Sequence, residues 1–165
     1  MKVLVAYVSQ TGNTQKVAEA IFQEIQVDKE IKELEEIDNL EGCDLAFIGF
    51  PIIQFGPAKP AKEFLEKNSS GKKVALFMTH AAPEGAPPIQ DYIANSKEAA
   101  ARADVVGTFN CQGELSAAVT EMLLKSDNPE FRAFGEMGPS TKGQPDATRI
   151  EKASAFAREI MGKVT

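Results

Sequence analysis

The sequence places six small polar residues directly after its first apolar run: Ser9, Gln10, Thr11, Gly12, Asn13 and Thr14. None is charged, yet the backbone N–H groups and hydroxyls of such a stretch can hydrogen-bond an anion, and a helix that begins there adds the positive end of its dipole. The phosphate loops GxxxxGK(S/T) and GxGxxG are both absent, because Gly12 stands alone. The stretch therefore predicts either an anion site that needs no metal or a polar turn that only caps a helix.

Other side chains suited to chemistry are few. The sequence has one histidine, His80, and two cysteines, Cys43 and Cys111, each beside an apolar run. Neither cysteine belongs to a CxxC motif or a Cys/His cluster, so we expect no disulfide framework and no metal site. We expect Cys111 to be a half-buried, inert thiol, although a position near a ligand stays open. His80 is equally suited to a structural hydrogen bond and to a ligand contact.

Four short apolar runs must position these residues: 3–8, 45–50, 74–78 and 105–109. Each is nearly continuous rather than alternating, which is typical of strands covered on both faces. Helical patterns lie between the runs, and the clearest is the apolar stripe from Ile150 to Met161, for which Asp146 is a suitable N-cap. The charged stretch "KEIKELEEI" is either a strand or a helix by pattern, and its charge suits the edge of a sheet.

Strand and helix patterns thus alternate five times along the chain. This order predicts an α/β fold with a doubly wound parallel sheet, helices on both faces and right-handed crossovers. A chain of 165 residues has the size of one domain, so we expect residues 1–165 to form a single domain. Sheets of this type bind ligands at the carboxyl ends of their strands, so the loops after the apolar runs should be the functional ones.

The segment from Glu114 to Pro145 departs from the alternation. Its pattern predicts a helix over "ELSAAVTEMLLK", a turn at "SDNP", a second helical stretch and a Gly/Pro-rich end before the last helix. One interpretation is a helical insertion that packs on the domain through Leu115, Leu123, Phe131 and Phe134. The alternative is a cover over a ligand or a contact for another subunit.

Composition excludes several classes of function. The formal net charge is −6, which disfavours binding to nucleic acid or to an anionic membrane. No apolar run approaches the roughly 18 residues of a membrane span, and no signal-peptide cleavage site follows the first run, so we expect a cytoplasmic protein. An acidic surface suits partners with basic patches. We expect a monomer or a weak dimer.

The stretch "SQTGNTQKVA" resembles the phosphate-binding loop of flavodoxins, in which a Ser/Thr-x-Thr-Gly-x-Thr turn leads into the first helix. Flavodoxin is itself an example of the doubly wound architecture, with strand order 2-1-3-4-5 and FMN at the point where the strand order reverses. The resemblance therefore implies a flavodoxin-like five-stranded parallel sheet, an extra helical segment before the last helix, and FMN whose phosphate lies on residues 9–14.

A second loop extends the resemblance. The stretch "GFPIIQFGPAKP" follows the second apolar run, and its expected contributions to the cofactor site are Pro51, Ile52, Ile53, Gln54, Phe55 and Gly56. The family pattern implies that Phe55 stacks on the flavin ring and that the flexible peptide at Gly56 turns its C=O toward N5 of the flavin. The alternative is that Phe55 belongs to the core and that Gly56 and Pro57 start a helix.

The loop "MTHAAPEGAPP" is expected to supply Thr79, His80 and Ala81 to the same site. Flavodoxins commonly place a second aromatic side chain in this loop, over the other face of the flavin. This sequence has no Tyr or Trp between Met78 and Gln90. The resemblance therefore leaves the second face of the ring without a clear partner.

The resemblance implies an FMN-binding electron-transfer protein without catalytic residues of its own, since the flavin supplies the chemistry. Its partners would be redox proteins with basic docking patches, and Glu84 and Asp91 are the first candidates to contact them. The alternative is an FMN-dependent NAD(P)H:quinone reductase, whose loops the PxxxFG pattern also resembles, although no basic cluster is placed to hold an NADP phosphate. A response-regulator receiver is excluded, because the places of its acidic residues hold Ser9-Gln10 and Pro51-Ile52.

Overall fold

A computed structural model describes all residues, Met1–Thr165. Five parallel strands form the sheet, in the spatial order β2-β1-β3-β5-β6: β1 Lys2–Tyr7, β2 Asp28–Glu33, β3 Leu45–Ile53, β5 Lys73–His80 and β6 Asp104–Gln112. A short strand, β4 (Gly56–Pro57), pairs antiparallel with the end of β3. Counting only the parallel strands, this is the predicted order 2-1-3-4-5, and the predicted α/β fold is confirmed.

Six helices accompany the sheet: α1 Asn13–Glu24, α2 Lys59–Asn68, α3 Pro88–Ala99, α4 Ala117–Leu124, α5 Pro129–Glu136 and α6 Ala147–Val164. The apolar side chains of α1 and α6 pack on one face of the sheet, and those of α2 and α3 pack on the other. Alternate residues of β1 enter the two cores, so that Val3 and Val5 lie on the α1 side while Leu4 and Ala6 lie on the α2 side. Burial on both faces explains why the strands read as continuous apolar runs.

The charged stretch that allowed two interpretations forms the edge strand β2, followed by a 3-10 turn at Leu34–Glu36. Its side chains are only partly buried, and Glu30 accepts ion pairs from Lys2 at 3.3 Å and from Lys32 at 3.2 Å. Charged side chains on an outer strand discourage pairing with another chain. The charged composition of β2 thus correctly predicted its position at the edge of the sheet.

Three strands run further than the apolar pattern predicts, and one of them, β6, continues from Phe109 to Gln112. β3 continues through Pro51 to Ile53, and β5 continues through Thr79 to His80, so these site residues lie on strand ends rather than in loops. Pro51 pairs with Thr79 in the parallel ladder. The prediction that the strands end at Phe50, Met78 and Phe109 was wrong, because backbone pairing continues past these residues.

The segment before the last helix contains α4, α5 and a 3-10 turn at Gly138–Thr141. Ser116 Oγ accepts from the Val119 N–H at 3.2 Å, and Asn128 Oδ1 accepts from the Glu130 N–H at 2.9 Å, so both helices begin at capped ends. The apolar side chains of α4 do not enter the core, and none of its residues is buried. As predicted, Asp146 caps α6, through a 3.0 Å bond from the Arg149 N–H. No helix of the fold combines the length and the apolar character that crossing a bilayer requires.

Candidate functional site

One cleft of about 740 Å³ lies at the carboxyl ends of β1, β3 and β5. Of the residues predicted for the site, only Gly12 and Gly56 lie outside its lining, and all the others border it. The structure thus brings together the three stretches that sequence reasoning selected separately. This is where a parallel sheet with reversing strand order places a ligand.

The polar stretch after β1 forms a turn with unused hydrogen-bond donors. Gly12 adopts a φ of 91° at the N-cap of α1, a left-handed conformation that favours glycine. Ser9 Oγ accepts from the N–H groups of Gly12 at 3.1 Å and Gln15 at 3.3 Å. The N–H groups of Thr11, Asn13 and Thr14 have no partner within the protein. Such free amides at a helix N-terminus form an anion site.

The turn is joined to the strand beside it by a buried contact. Thr14 Oγ1 and Thr79 Oγ1 lie 2.8 Å apart and share a hydrogen bond, and both residues are at most 2% exposed. This hydrogen bond therefore attaches the turn to the end of β5. Thr11, by contrast, is exposed, and its hydroxyl has no protein partner.

The second predicted loop is a two-residue β-hairpin. Ile53 pairs with Gly56, and the two residues between them, Gln54 and Phe55, have φ values of 51° and 69°. Positive φ at both central positions is the type I′ arrangement of tight hairpins. The expected site of unusual backbone conformation was Gly56, which instead lies in β4. The alternative that Gly56 and Pro57 start a helix was also wrong, because α2 begins at Lys59.

Phe55 stands at the mouth of the cleft, 46% exposed. Its backbone C=O accepts a hydrogen bond from Asn95 Nδ2 at 2.9 Å, which fastens the hairpin to α3. Its ring lies against that of Tyr92, with centroids 6.0 Å apart and planes at 39°. Phe55 is therefore not a core residue, and it presents an aromatic surface to the cleft.

Tyr92 was missed by sequence reasoning. It comes from α3 rather than from the loop after β5, is 5% exposed, and lies 6.4 Å from the His80 ring between centroids. Burial raises the pKa of its phenol, which keeps it neutral. In the sequence it reads as one of the apolar residues of an amphipathic helix, beside Ile89 and Ile93. Only the position of α3 over the cleft distinguishes it from those neighbours.

His80 is held by both ring nitrogens. Nδ1 lies 2.8 Å from the Ala82 carbonyl oxygen, and Nε2 lies 2.9 Å from Asn110 Oδ1. Burial is the largest influence on the ring and lowers its pKa, so the ring is neutral near pH 7. Both partner atoms are acceptor oxygens, and a neutral ring has one N–H, so it donates to one of them at a time. Both nitrogens face partners inside the protein, which favours the structural interpretation of His80.

A charge cluster anchors the segment after β5. Arg149 donates to Glu84 twice, from Nε to Oε1 at 2.7 Å and from Nη2 to Oε2 at 2.9 Å, and Nη1 lies 3.2 Å from Asp146 Oδ2. The Gln112 N–H also donates to Glu84, at 3.3 Å. Glu84 is therefore engaged internally, whereas Asp91, the other expected docking residue, is exposed.

The α4–α5 segment forms one wall of the cleft. Its apolar side chains border the cleft from one side: Leu115, Val119, Met122, Leu123, Phe131 and Phe134. Its start is attached to the turn after β1, where Asn13 Nδ2 donates to the Glu114 C=O at 2.9 Å. Between the two interpretations of the segment, the structure favours a cover over the ligand site.

Cys111 lies outside the cleft, on β6. Its residue is 1% exposed, and burial raises the pKa of its thiol to about 12. The thiolate, which is the reactive form, is then absent at neutral pH. Cys111 is more deeply buried than the half-buried thiol we expected, and it contributes no reactive group to the site.

A family model for the flavodoxin domain matches residues 4–158 of the chain. The chain belongs to the flavodoxin family. A curated relative, the flavodoxin-like domain-containing protein BilS of Clostridioides difficile (strain CD3), is 36% identical over 181 residues, with 100% of this chain and 99% of the relative covered. The resemblance inferred from the loop after the first strand is thereby confirmed.

Solved structures agree with the flavodoxin fold. Oxidised Flavodoxin 2 from Bacillus cereus superposes with a TM-score of 0.64 at 20% identity and covers 99% of each chain. A flavoprotein in complex with FMN from Lactobacillus acidophilus NCFM superposes with a TM-score of 0.55 at 28% identity, over 66% of this chain and 92% of that chain. A likeness at 20% identity shows the fold alone, and family membership rests on the family model and the curated relative.

Membership of the flavodoxin family confirms FMN as the predicted cofactor, and the residues of the cleft fit it. The free amides of the first turn suit a phosphate, and the aromatic side chains of Phe55 and Tyr92 suit a flat ring. No Lys or Arg borders the cleft, and its one carboxylate, that of Glu114, accepts from the Gly143 N–H at 2.8 Å. In this flavodoxin the cofactor site is built from amides, hydroxyls and apolar surface.

Proposed function

We propose that the protein is an FMN-binding electron carrier that passes electrons between redox partner proteins. The observation that carries the proposal is the free amides of the turn at Thr11–Thr14, which open into the same cleft as the aromatic hairpin at Phe55. FMN contains both a phosphate, which suits the turn, and a flat ring, which suits the hairpin.

Within this proposal the chain binds and orients the cofactor. The turn at residues 9–14 holds the phosphate by hydrogen bonds and the helix dipole, without a metal or a cationic side chain. Residues 51–55 and Tyr92 border the part of the cleft that would hold the ring, and residues 79–81 border the cleft beside them. FMN, when bound, supplies reversible one- and two-electron transfer. The chain then needs no catalytic side chain.

The charge of the site sets the energetics of reduction. No cation borders the cleft, and the whole chain has a formal net charge of −6. A site of this charge would oppose negative charge on a bound flavin, which would lower the potential for its full reduction. The same acidic surface suits partners with basic patches, and Asp91 is the docking candidate that remains free of an ion pair. The two free cysteines suit a reducing, cytoplasmic location.

The purified protein tests the proposal directly. It should be yellow, release FMN on denaturation, and pass through a one-electron-reduced form that absorbs at long wavelength during stepwise photoreduction. A protein that cannot take up FMN would refute the proposal. Two-electron reduction without that form, with steady consumption of NAD(P)H when quinone is added, would instead support the alternative enzyme.

That alternative, an FMN-dependent NAD(P)H:quinone reductase, has one specific support. The α4–α5 wall lines one side of the cleft with apolar side chains, a surface that suits an apolar substrate. Against it stands the absence of Lys and Arg around the cleft, since a dinucleotide carries phosphates that need cationic partners or free amides of their own. Electron transfer between proteins is thus the better-supported function.

A further inference from the structure

The two edge strands of the sheet differ in their protection against pairing with another chain. β2, at one edge, has charged side chains at every position of DKEIKE except Ile31. β6, at the other edge, reads DVVGTFNCQ, in which only Asp104 is charged and no residue is proline. Charged side chains and prolines are common means by which an edge strand avoids pairing with a further strand. β6 has neither along most of its length.

The outer edge of β6 is not covered by another part of the chain. β6 pairs with β5 alone, and residues 105–110 are all half-buried. Helix α6 packs on one face of the strand, where the rings of Phe109 and Phe156 stack with centroids 5.6 Å apart. No turn, loop or side chain forms a hydrogen bond with the backbone of residues 105–111. Backbone groups of β6 that point away from β5 are therefore without a partner in the chain.

The hydrogen bond at the end of the strand shows which groups point away. The Gly113 N–H donates to the His80 C=O at 2.8 Å, so Gly113 faces β5. The N–H and C=O of one residue point to the same edge of a strand, and those of the next residue point to the opposite edge. Residues 107, 109 and 111 therefore face β5 as well. The backbone groups of Thr108 and Asn110 face outward.

Two further observations agree with this alternation. The Gln112 N–H, which it turns outward, donates to Glu84 Oε1 at 3.3 Å rather than to β5. The irregularity of β6, an extra residue at Val106, lies before the stretch from Gly107 to Gln112, whose pairing with β5 is regular. Thr108 and Asn110 thus present two free N–H groups and two free C=O groups in a regular row.

This row is complementary to itself. If two copies of β6 run antiparallel with Phe109 opposite Phe109 of the second copy, Thr108 lies opposite Asn110 on both sides of the centre. Opposed residues whose groups face each other exchange both backbone hydrogen bonds, so every outward group of Thr108 and Asn110 gains a partner. The two Phe109 residues then form the closer, non-hydrogen-bonded kind of pair, in which aromatic side chains stabilise a sheet.

Local charge does not oppose this register. Residues 107–111 of one copy lie opposite residues 111–107 of the other, and none of them is charged. The two Asp104 carboxylates lie at opposite ends of the paired strands, since Asp104 falls opposite a position beyond Gln112. Opposition comes only from the net charge of the whole chain, −6 for each copy, which salt screens.

We propose that the outer edge of β6 binds a second copy of this chain, which joins the two sheets into one continuous sheet about a twofold axis at Phe109. One strand from each copy forms a small contact, so the dimer is weak and becomes stronger as the salt concentration rises. None of residues 104–111 borders the cofactor cleft. The pairing therefore does not depend on FMN or on the proposed electron transfer.

Amide hydrogen exchange of the unaltered protein tests the pairing residue by residue. As the protein concentration rises to about 1 mM, the upper limit of a weak specific dissociation constant, exchange at Thr108 and Asn110 should slow severalfold. The amides of Phe109 and Cys111, which face β5, should show no dependence on concentration. Exchange at Thr108 and Asn110 that is independent of concentration would overturn the proposal.

Thr108→Pro and Thr108→Val form a matched pair of variants. Proline removes the outward N–H and is tolerated on an edge strand whose N–H faces solvent, so it should abolish the dimer in sedimentation velocity. Valine keeps the N–H and should dimerise as the unaltered protein does. Both variants should bind FMN normally. A dimer that persists in Thr108→Pro would place the interface elsewhere on the molecule, and a monomer at every concentration and salt would refute the proposal.

Thr108→Lys repeats the test without changing the backbone. It adds a positive charge to each strand and brings the two charges into diagonal proximity across the twofold axis, so it should weaken the dimer by about tenfold at low salt. The matched control is Lys152→Thr on α6, an exposed position away from β6, which should leave dimerisation unchanged. Equal effects of the two substitutions would show that only net charge matters and would contradict pairing at β6.

Discussion

The hydroxyl groups of Thr14 and Thr79 share a buried hydrogen bond of 2.8 Å across the boundary between the first helix and the end of β5. Neither hydroxyl has another side-chain partner, and both residues are at most 2% exposed. The position of the candidate phosphate turn is therefore coupled to the strand that carries His80. A substitution of either threonine should therefore affect both the turn and the end of β5.

Replacing these threonines by valine should show that coupling in the stability of the protein. Thr14→Val or Thr79→Val alone leaves one buried hydroxyl without a partner and should lower the free energy of unfolding by about 1–3 kcal/mol. The double variant should lose less than the sum of the two, because no orphaned hydroxyl remains. Urea denaturation of the four proteins measures the difference. Strictly additive losses would mean that the two hydroxyls do not interact.

Substitution of Thr11 tests the position of the FMN phosphate more directly than substitution of Thr14. Its hydroxyl is exposed and has no protein partner, so Thr11→Val removes a possible phosphate contact without breaking an internal hydrogen bond. We expect FMN to bind about tenfold more weakly, a loss of about 1.4 kcal/mol, and riboflavin, which lacks the phosphate, to bind unchanged. Fluorescence titration measures both ligands.

The control for this variant is Gln15→Ala. Gln15 is exposed in the first turn of the same helix, and its side chain bonds Glu19 at 3.0 Å rather than bordering the cleft. The Gln15→Ala substitution should change the affinity for neither FMN nor riboflavin. Equal weakening of FMN and riboflavin by Thr11→Val would place the phosphate elsewhere.

The ion pair of Arg149 with Glu84 should stabilise the segment after β5. Arg149→Lys keeps the charge but loses the two-pronged contact with Glu84, and we expect a loss of about 1 kcal/mol in unfolding free energy together with weaker FMN binding. Arg158→Lys is the control, since Arg158 pairs with Glu24 and Glu151 on the surface of α6, away from the cleft. An effect of the same size on FMN in both variants would contradict a local role for Arg149.

The local patterns of the sequence were sufficient for the alternating α/β fold and for the edge of the sheet at which the site was expected, whereas the strand order came from the resemblance to flavodoxins. Continuous apolar runs identify buried strands, and the turn after the first run has a family-specific spacing of Thr11, Gly12 and Thr14. The carboxyl ends of parallel strands lie at one edge, so the three stretches could be assigned to one site before the structure was known.

The parts that could not be predicted depend on long-range contacts. Tyr92 has the same helical spacing as a core residue, and only the placement of α3 brings it to the cleft. Asn95, 40 positions after Phe55, bonds that residue's carbonyl, which no local pattern indicates. The direction in which α4 faces was equally undetermined, because an almost wholly apolar helix has no polar side to mark as solvent-facing.

The ionisation of His80 should appear in the pH dependence of stability. Burial lowers its pKa in the folded protein. The hydrogen bonds with Asn110 and Ala82 and the Glu84 charge oppose that shift, and the Arg149 charge reinforces it. The unfolded chain, with an ordinary pKa of about 6.5, then binds the proton more readily, so stability should fall as the pH drops below about 6.5 until the folded ring is protonated too.

Two measurements check this prediction. His80 is the only histidine, so its ring gives one NMR signal, which should titrate below the ordinary value. The loss of unfolding free energy between pH 7.5 and 5.5 should be smaller in His80→Gln, which keeps hydrogen-bonding groups but does not titrate. A titration midpoint above the ordinary value would mean that the folded protein favours the charged ring.

The backbone of the hairpin gives the last prediction. Gln54 and Phe55 both have positive φ, which costs a residue with a side chain about 1–2 kcal/mol relative to glycine. Phe55 cannot be replaced without losing its aromatic contact with Tyr92, but the side chain of Gln54 makes no hydrogen bond that would be lost. Gln54→Gly should therefore be more stable than Gln54→Ala by about 1 kcal/mol, since only alanine keeps a Cβ at this φ. Thermal and urea unfolding of the two variants measure the difference. At an ordinary negative φ the order would reverse, because glycine loses more backbone entropy on folding, so an alanine variant that proved the more stable would contradict the hairpin geometry.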